Sequence, residues 1–314
     1  MIACMTSGST EQSEVFAPGL LSGQVALVTG GGTGLGKATA LELVRCGARV
    51  VIAGRRGEVL ERAVAEIHAT VGQGGADWIA GDIREREDAE RLVASVLERH
   101  GGLDLLVNNA GGQYFTPAEG IAAKGWQAVW RLNVDGMLNM AQAYVAQAHA
   151  RWIGADPPDG ARAGAGPPDG ARTGTIINVT LSPHHGMPGM AHSGAARAAV
   201  EQLTSELARS WAGEGIAVMA VAAGHFDTEA LEKYPKSLRA GMARTVPLQR
   251  LGTVREHAWL VALLASPLSR AFSGSTVTLD GARDNWFGPW PPPGLADDSG
   301  AVPTEERKGS TPVT

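Results

Sequence analysis

The stretch Thr29-Gly30-Gly31-Gly32-Thr33-Gly34-Leu35-Gly36 constrains this chain more than any other. It follows the apolar run Val25-Ala26-Leu27-Val28. It precedes Lys37-Ala38-Thr39-Ala40-Leu41-Glu42-Leu43-Val44, a helical stretch that ends before Gly47. Strand, glycine turn and helix together aim backbone N–H groups and a helix N-terminus at one point, an arrangement suited to a phosphate. Glycine allows the sharp turn and keeps side chains out of the way of a pyrophosphate. A glycine cluster alone says little. Placed between a strand and a helix, at the start of an alternating pattern, it predicts a dinucleotide site.

The pattern does alternate. Strands are expected at Val25–Val28, Val50–Ala53, Trp78–Ala80, Leu105–Val107, Ile176–Val179, Val218–Val221 and Val277–Leu279. Helical stretches lie between them, the clearest carrying Ala196, Val200, Leu203, Leu207 and Trp211 as an apolar stripe. This predicts an α/β fold: a Rossmann-type, doubly wound parallel sheet of about seven strands. The alternation is unbroken over 23–284, so a single domain is expected, although 314 residues would allow two. Residues 1–22 read as a flexible extension. Residues 285–314, with Trp286, Trp290 and Pro291-Pro292-Pro293, read as a largely disordered tail. Pro157-Pro158-Asp159-Gly160-Ala161-Arg162 recurs as Pro167-Pro168-Asp169-Gly170-Ala171-Arg172, which makes 155–173 an inserted, exposed repeat loop.

Bulk properties narrow the classes. A net charge of −5 gives no footprint for nucleic acid. The two cysteines, Cys4 and Cys46, make neither a disulfide framework nor a metal spacing. No apolar run reaches the ~18 residues of a membrane span, and no signal peptide is read. A cytoplasmic protein without a metal is expected.

In such a sheet, ligands bind beyond the carboxyl ends of the strands. After the second strand comes Gly54-Arg55-Arg56, where a site for NAD usually holds an acid on the ribose. A small residue followed by guanidinium groups instead pairs with a 2′-phosphate. NADP(H) is therefore the expected cofactor, with Arg55 and Arg56 on its phosphate. Asp82 and Ile83, after the third strand, are expected at the adenine. Asn108-Asn109-Ala110-Gly111 follows the fourth.

With those residues in view, the chain resembles the short-chain dehydrogenase/reductase family over nearly all of 24–283. Thr29–Gly36, Asn108–Gly111, Asn133 within Leu132-Asn133-Val134, and Leu279-Asp280-Gly281 carry the likeness. Within that family, Ala17–Val25, Gly111–Glu119 with Lys124-Gly125-Trp126, and His192–Arg197 are similar to the peroxisomal trans-2-enoyl-CoA reductases. The resemblance implies that Gly30, Thr33, Gly34, Leu35 and Gly36 wrap the pyrophosphate, and that Asn109 and Gly111 line the cofactor. Gly224 and Phe226 would lie beside it, with Thr228 on the nicotinamide amide. Asn133 would support a helix kink and a water relay behind the site. The helices around Met137–Trp152 and Ala195–Trp211 would make a homodimer or homotetramer.

The departures from the family pattern bear on the chemistry. Ser193 and Arg197 stand at the spacing of the family's Tyr-x-x-x-Lys pair, and the family serine falls near Thr180 or Leu181. Reducing a ketone needs a proton donor at the carbonyl oxygen, and serine ionises far less readily than tyrosine. Reducing the double bond of an enoyl thioester moves charge onto the thioester oxygen, which hydrogen bonds can hold. Candidate donors are Ser193, Thr180, Ser182 and Tyr114. His184, His185, His192 and His225 are expected near the same end, and a histidine acid fits the working pH. Arg197 would place the nicotinamide ribose. The segment 226–250 is expected to be a substrate lid. Its Lys233, Lys236, Arg239, Arg244 and Arg250 either meet the phosphates of a CoA or carrier-bound thioester or form a solvated face.

The expected activity is NADPH-dependent reduction of the C=C bond of a 2-enoyl thioester or related enone. The alternatives are a carbonyl reductase with Tyr114 or His192 as a displaced acid, and an NADP(H)-binding protein without turnover.

Overall fold

The computed structural model describes residues 11–149, 173–182, 184, 189–233 and 242–286, and all seven expected strands are present in it. They are β1 (Val25–Thr29), β2 (Arg49–Gly54), β3 (Ala76–Ala80), β4 (Leu105–Asn108), β5 (Gly174–Leu181), β6 (Ile216–Ala223) and β9 (Thr276–Leu279). Two short strands, β7 (Phe226–Asp227) and β8 (Gly252–Thr253), pair with each other apart from the main sheet. The sheet order is β3-β2-β1-β4-β5-β6-β9, and its pairs are parallel. The order reverses between β1 and β4, which opens a crevice beyond their carboxyl ends.

Strand β1 shows why the sheet is doubly covered. All five of its residues are buried, and alternate side chains feed opposite cores. Ala26 and Val28 pack with α1 (Gly34–Arg45), α2 (Gly57–Val71) and α7 (Val254–Ala265) through Leu43, Leu60 and Val261. Val25 and Leu27 pack with α3 (Arg86–His100), α5 (Gly136–Ala143) and α6 (Ala191–Trp211) through Leu92, Met140 and Val200. On α6 the expected stripe faces this second core: Ala196 and Val200 are buried, and Leu203, Leu207 and Trp211 close its margin.

The helix α4 (Ala123–Trp130) runs into α5 through one π-turn, Arg131–Asp135. Asn133 sits in that turn. Its side-chain amide donates to the Val129 carbonyl at 2.7 Å and to the Gly112 carbonyl at 2.9 Å, and its oxygen accepts from Gly112 N at 3.2 Å. The π-turn and the loop after β4 are thus held by one side chain.

Helix α7 opens with a capping box between Thr253 and Glu256. Arg250 donates to the same carboxylate at 2.6 and 2.9 Å, and the pairing pulls Glu256 down to about 2. Arg250, one of the cations expected in the lid segment, is thus paired at the start of α7. Residues 1–10, the repeat loop apart from Thr173, His185, Lys236, Arg239, and the tail from 287 on with Trp290 lie outside the described residues. Among those described, no helix is long and apolar enough to cross a membrane.

Candidate active site

The site begins where β1 and β4 are stitched together. The Thr29 hydroxyl accepts from the backbone N–H groups of Asn109 and Ala110 at 3.1 and 3.0 Å. The Asn109 side chain returns hydrogen bonds to the carbonyls of Thr29 and Gly30 at 3.0 and 3.3 Å. The glycines fit this junction tightly. Gly30 has φ +66, and a Cβ there would stand 2.9 Å from Ala110 Cα. A Cβ on Gly36 would stand 2.4 Å from both Asn109 Nδ2 and the Gly30 carbonyl oxygen.

Above the junction lies a cleft of about 510 Å³. It is lined by Gly30, Thr33, Gly34, Leu35, Gly36, Arg55, Arg56, Asp82, Ile83, Asn109, Gly111, Arg197, Gly224, Phe226 and Thr228. Every residue that the sequence assigned to the cofactor therefore meets one cavity. Arg55 and Arg56 make no ion pair among the described residues. Asp82 holds Arg84 at 2.5–3.0 Å, and this pairing keeps its carboxyl below the usual range.

The catalytic candidates divide. Thr180 and Arg197 line the cleft, whereas Asn133, Ser182, Ser193, His192 and Tyr114 do not. Ser193 is fully buried, and its Oγ has no hydrogen-bond partner among the described residues. His192 is buried beside Tyr114, with ring centroids 4.3 Å apart, and burial lowers its pKa. Ser182 is buried and donates to Asp280. Arg197 donates to the Val179 carbonyl at 2.6 Å, while its Nε is buried and unpartnered. Burial draws Arg197 down to about 10 against the pull of Glu201, so it stays cationic at neutral pH. Arg197 and Asn133 converge on one backbone site. A Cβ on Gly111 would stand 2.2 Å from Arg197 Nη2 and 2.8 Å from Asn133 Oδ1.

His225, which the sequence placed only near this end, lines the cleft. Arg283 donates to its Nε2 at 3.0 Å. A guanidinium only donates, so Nε2 accepts and the neutral ring carries its proton on Nδ1. Burial, then the Arg283 charge, hold its pKa at about 4, so the ring is neutral at physiological pH. Gln113, Phe115, Met190, Leu231 and Met242 also line the cleft. Gln113 and Phe115 lay inside the quoted stretch Gly111–Glu119. Met190 caps the start of α6 and Met242 is helical just before the short turn Ala243–Thr245, and no periodicity marks either.

A larger groove of about 930 Å³ runs over α1 and α7 and shares Gly34, Thr228 and Leu231 with the cleft. Glu14, Glu42, Glu66, Asp227, Glu229 and Glu232 line it against Lys37, Arg45 and Arg255. That excess of carboxylates repels phosphates, so the smaller cleft is the candidate site.

Comparison with known proteins agrees with this geometry. A family model described as short chain dehydrogenase matches residues 24–155, and one described as enoyl-(acyl carrier protein) reductase matches 165–282. A probable 2,4-dienoyl-CoA reductase of Bacillus subtilis is 34% identical, over 84% of this chain and 97% of its own. A 3-oxoacyl-[acyl-carrier-protein] reductase of Thermotoga maritima is 30% identical, over 83% and 98%. Among solved structures, a citronellol catabolism dehydrogenase of Pseudomonas aeruginosa is 36% identical with a TM-score of 0.72, covering 87% of this chain and 99% of that one.

Proposed function

The chain belongs to the short-chain dehydrogenase family of oxidoreductases, and from that premise we propose that it uses NADPH to reduce a C=C bond conjugated to an acyl thioester. The observation that carries this reading is the make-up of the cleft wall. A cation and a threonine reach it, and the residue at the family's tyrosine position, Ser193, is buried out of it. Such a wall is poor at protonating a ketone oxygen and better matched to holding an enolate. Relatives named 2,4-dienoyl-CoA reductase support the same substrate class.

The residues present fit the cofactor. The glycine-walled floor leaves room for a pyrophosphate, and the buried Nε of Arg197 has no hydrogen-bond partner among the described residues. Gly30–Gly36 would hold the pyrophosphate, Asp82 and Ile83 the adenine, Arg55 and Arg56 the 2′-phosphate, and Thr228 the carboxamide. When bound, the cofactor supplies a hydride. Arg197 contributes fixed positive charge beside the reacting end, and Thr180 contributes a hydroxyl. Phe226, Thr228, Leu231 and Met242 enter the cleft from 226–250, consistent with a substrate lid in that segment. A homodimer or homotetramer through α5 and α6 belongs to the same reading.

The test is NADPH consumption with 2,4-dienoyl-CoA, 2-enoyl-CoA, 3-oxoacyl-CoA and simple ketones. Turnover of the unsaturated thioesters is expected. Turnover of oxo substrates alone would replace this reading with carbonyl reduction, and NADPH binding without any turnover would replace it with a binding role. A second measurement addresses the cofactor. Arg55→Asp is expected to weaken NADPH about ten- to a hundred-fold, the worth of charge-assisted phosphate contacts, and NADH far less. Equal weakening in fluorescence titrations would count against the phosphate role.

A further inference from the structure

The Thr180 hydroxyl is the start of a chain of contacts that leads out of the cleft. It donates to Glu201 Oε1 at 2.7 Å. Glu201 lies one turn beyond Arg197 on α6, and its carboxylate meets His184 Nε2 at 3.0–3.1 Å. His184 Nδ1 closes on Asp284, in the turn after β9, and the His184 backbone N–H donates to Asp284 Oδ1 at 2.6 Å. Asp284 N in turn donates to Asp280 Oδ2 at 2.8 Å, the oxygen that also accepts from Ser182. Exposure falls along this line. The side chain of His184 is 35% exposed and that of Glu201 17%, and Thr180 is 3% exposed where it lines the cleft.

We propose that His184, Glu201 and Thr180 deliver a proton from solvent to the cleft, in place of the phenol found elsewhere in the family. The proposal rests on the double-bond reduction argued above. In that reaction a hydride forms the new C–H bond at the β-carbon, and the π electrons move to the thioester oxygen. When they return, the α-carbon takes the Thr180 proton. In its imidazolium form His184 first passes its Nε2 proton to the Glu201 carboxylate; Glu201 then reprotonates Thr180 and returns to the carboxylate, and water reprotonates His184. One hydride and one proton are added, one π bond is lost, and every protein group ends as it began. The charges around the line suit it. Burial disfavours the His184 imidazolium, yet Asp284 and Glu201 facing it raise its pKa above the ordinary value. Glu201 faces Arg197 on its own helix and His184 from the loop after β5, and Asp280 stands beyond Asp284.

The experiment uses Glu201→Gln and His184→Ala, with NADPH and a 2-enoyl-CoA in H₂O and D₂O. Glu201→Gln keeps a hydrogen-bonding group but cannot pass a proton. It is expected to lower kcat about ten- to a hundred-fold, with a larger solvent isotope effect and unchanged NADPH affinity. His184→Ala is expected to lose activity that added imidazole restores, because the site is open to solvent. In the protein without substrate, the His184 NMR titration is expected to fall toward the ordinary histidine value in Glu201→Gln. Wild-type turnover with both variants within twofold of it overturns the relay and leaves the function standing. An unmoved His184 midpoint overturns the relay without reference to activity. A wild type inert toward every unsaturated thioester overturns the function and the relay together.

Discussion

Replacing Gly36 with alanine is expected to disable the cofactor cleft and destabilise the fold. In most helices this change helps, because alanine favours the helix by about 1 kcal/mol. Here the new Cβ would stand 2.4 Å from Asn109 Nδ2 and 2.4 Å from the Gly30 carbonyl oxygen. Neither neighbour can step aside cheaply. Asn109 is bound to two carbonyls at the β1–β4 junction, and Gly30 N donates to the Ala53 carbonyl at 2.7 Å. Forcing a methyl into such a contact costs about 1–3 kcal/mol, and the strain falls on the turn proposed to hold the pyrophosphate. Gly194 gives the control. It lies in α6, and nothing stands within 4 Å of its added Cβ. Gly194→Ala is therefore expected to stabilise by about 0.5–1 kcal/mol. Thermal melts of the two variants should move in opposite directions, and NADPH titration should show binding lost only for Gly36→Ala. A Gly36→Ala protein that melts and binds like the wild type would refute the close-approach argument.

The same junction shows what the sequence made legible. Seven apolar runs separated by helical spacing set seven strands, because a parallel sheet covered on both faces buries nearly every strand residue. The cofactor side was legible for a related reason. It is built from strand ends and the residues just after them, and their order along the chain fixes their places around the crevice. The catalytic side was legible only in part. Ser193 was expected at the reaction from its spacing to Arg197, and His192 as one of the histidines near that end. In the fold, the helix turns both inward, where spacing along one helix cannot tell core from cavity. Glu201 went unremarked because a glutamate on a helix looks like a solvated face. Its importance comes from Thr180, His184 and Asp284, which approach it from three other segments. For Arg250 the charge left a phosphate contact and a solvated face open, and the pairing with Glu256, six residues on, could not be read from charge alone.

Arg197→Met is expected to cost more activity than any other change at the reacting end. The side chain lines the cleft, donates to the Val179 carbonyl at 2.6 Å and packs against the Gly111 backbone. Methionine keeps much of the volume and removes the charge, so packing loss is a small part of the effect. On the proposed reading, what disappears is fixed positive charge beside the position where negative charge would develop. Removing one such preorganised group typically lowers turnover about 10²–10³-fold. Arg197→Lys separates charge from shape. The ammonium restores the cation but lacks the planar fork, so it cannot reproduce the contact with the Val179 carbonyl and fill the same space at once. It should recover part of kcat, with a weaker KM for the cofactor. The pH profile gives a further distinction. Arg197 sits at about 10, so its own ionisation should leave activity flat through neutral pH and reduce it only as the pH climbs toward that value. A methionine variant within threefold of wild-type kcat/KM would mean that the charge at this position plays no part in the reaction, and the buried Nε would then need another explanation.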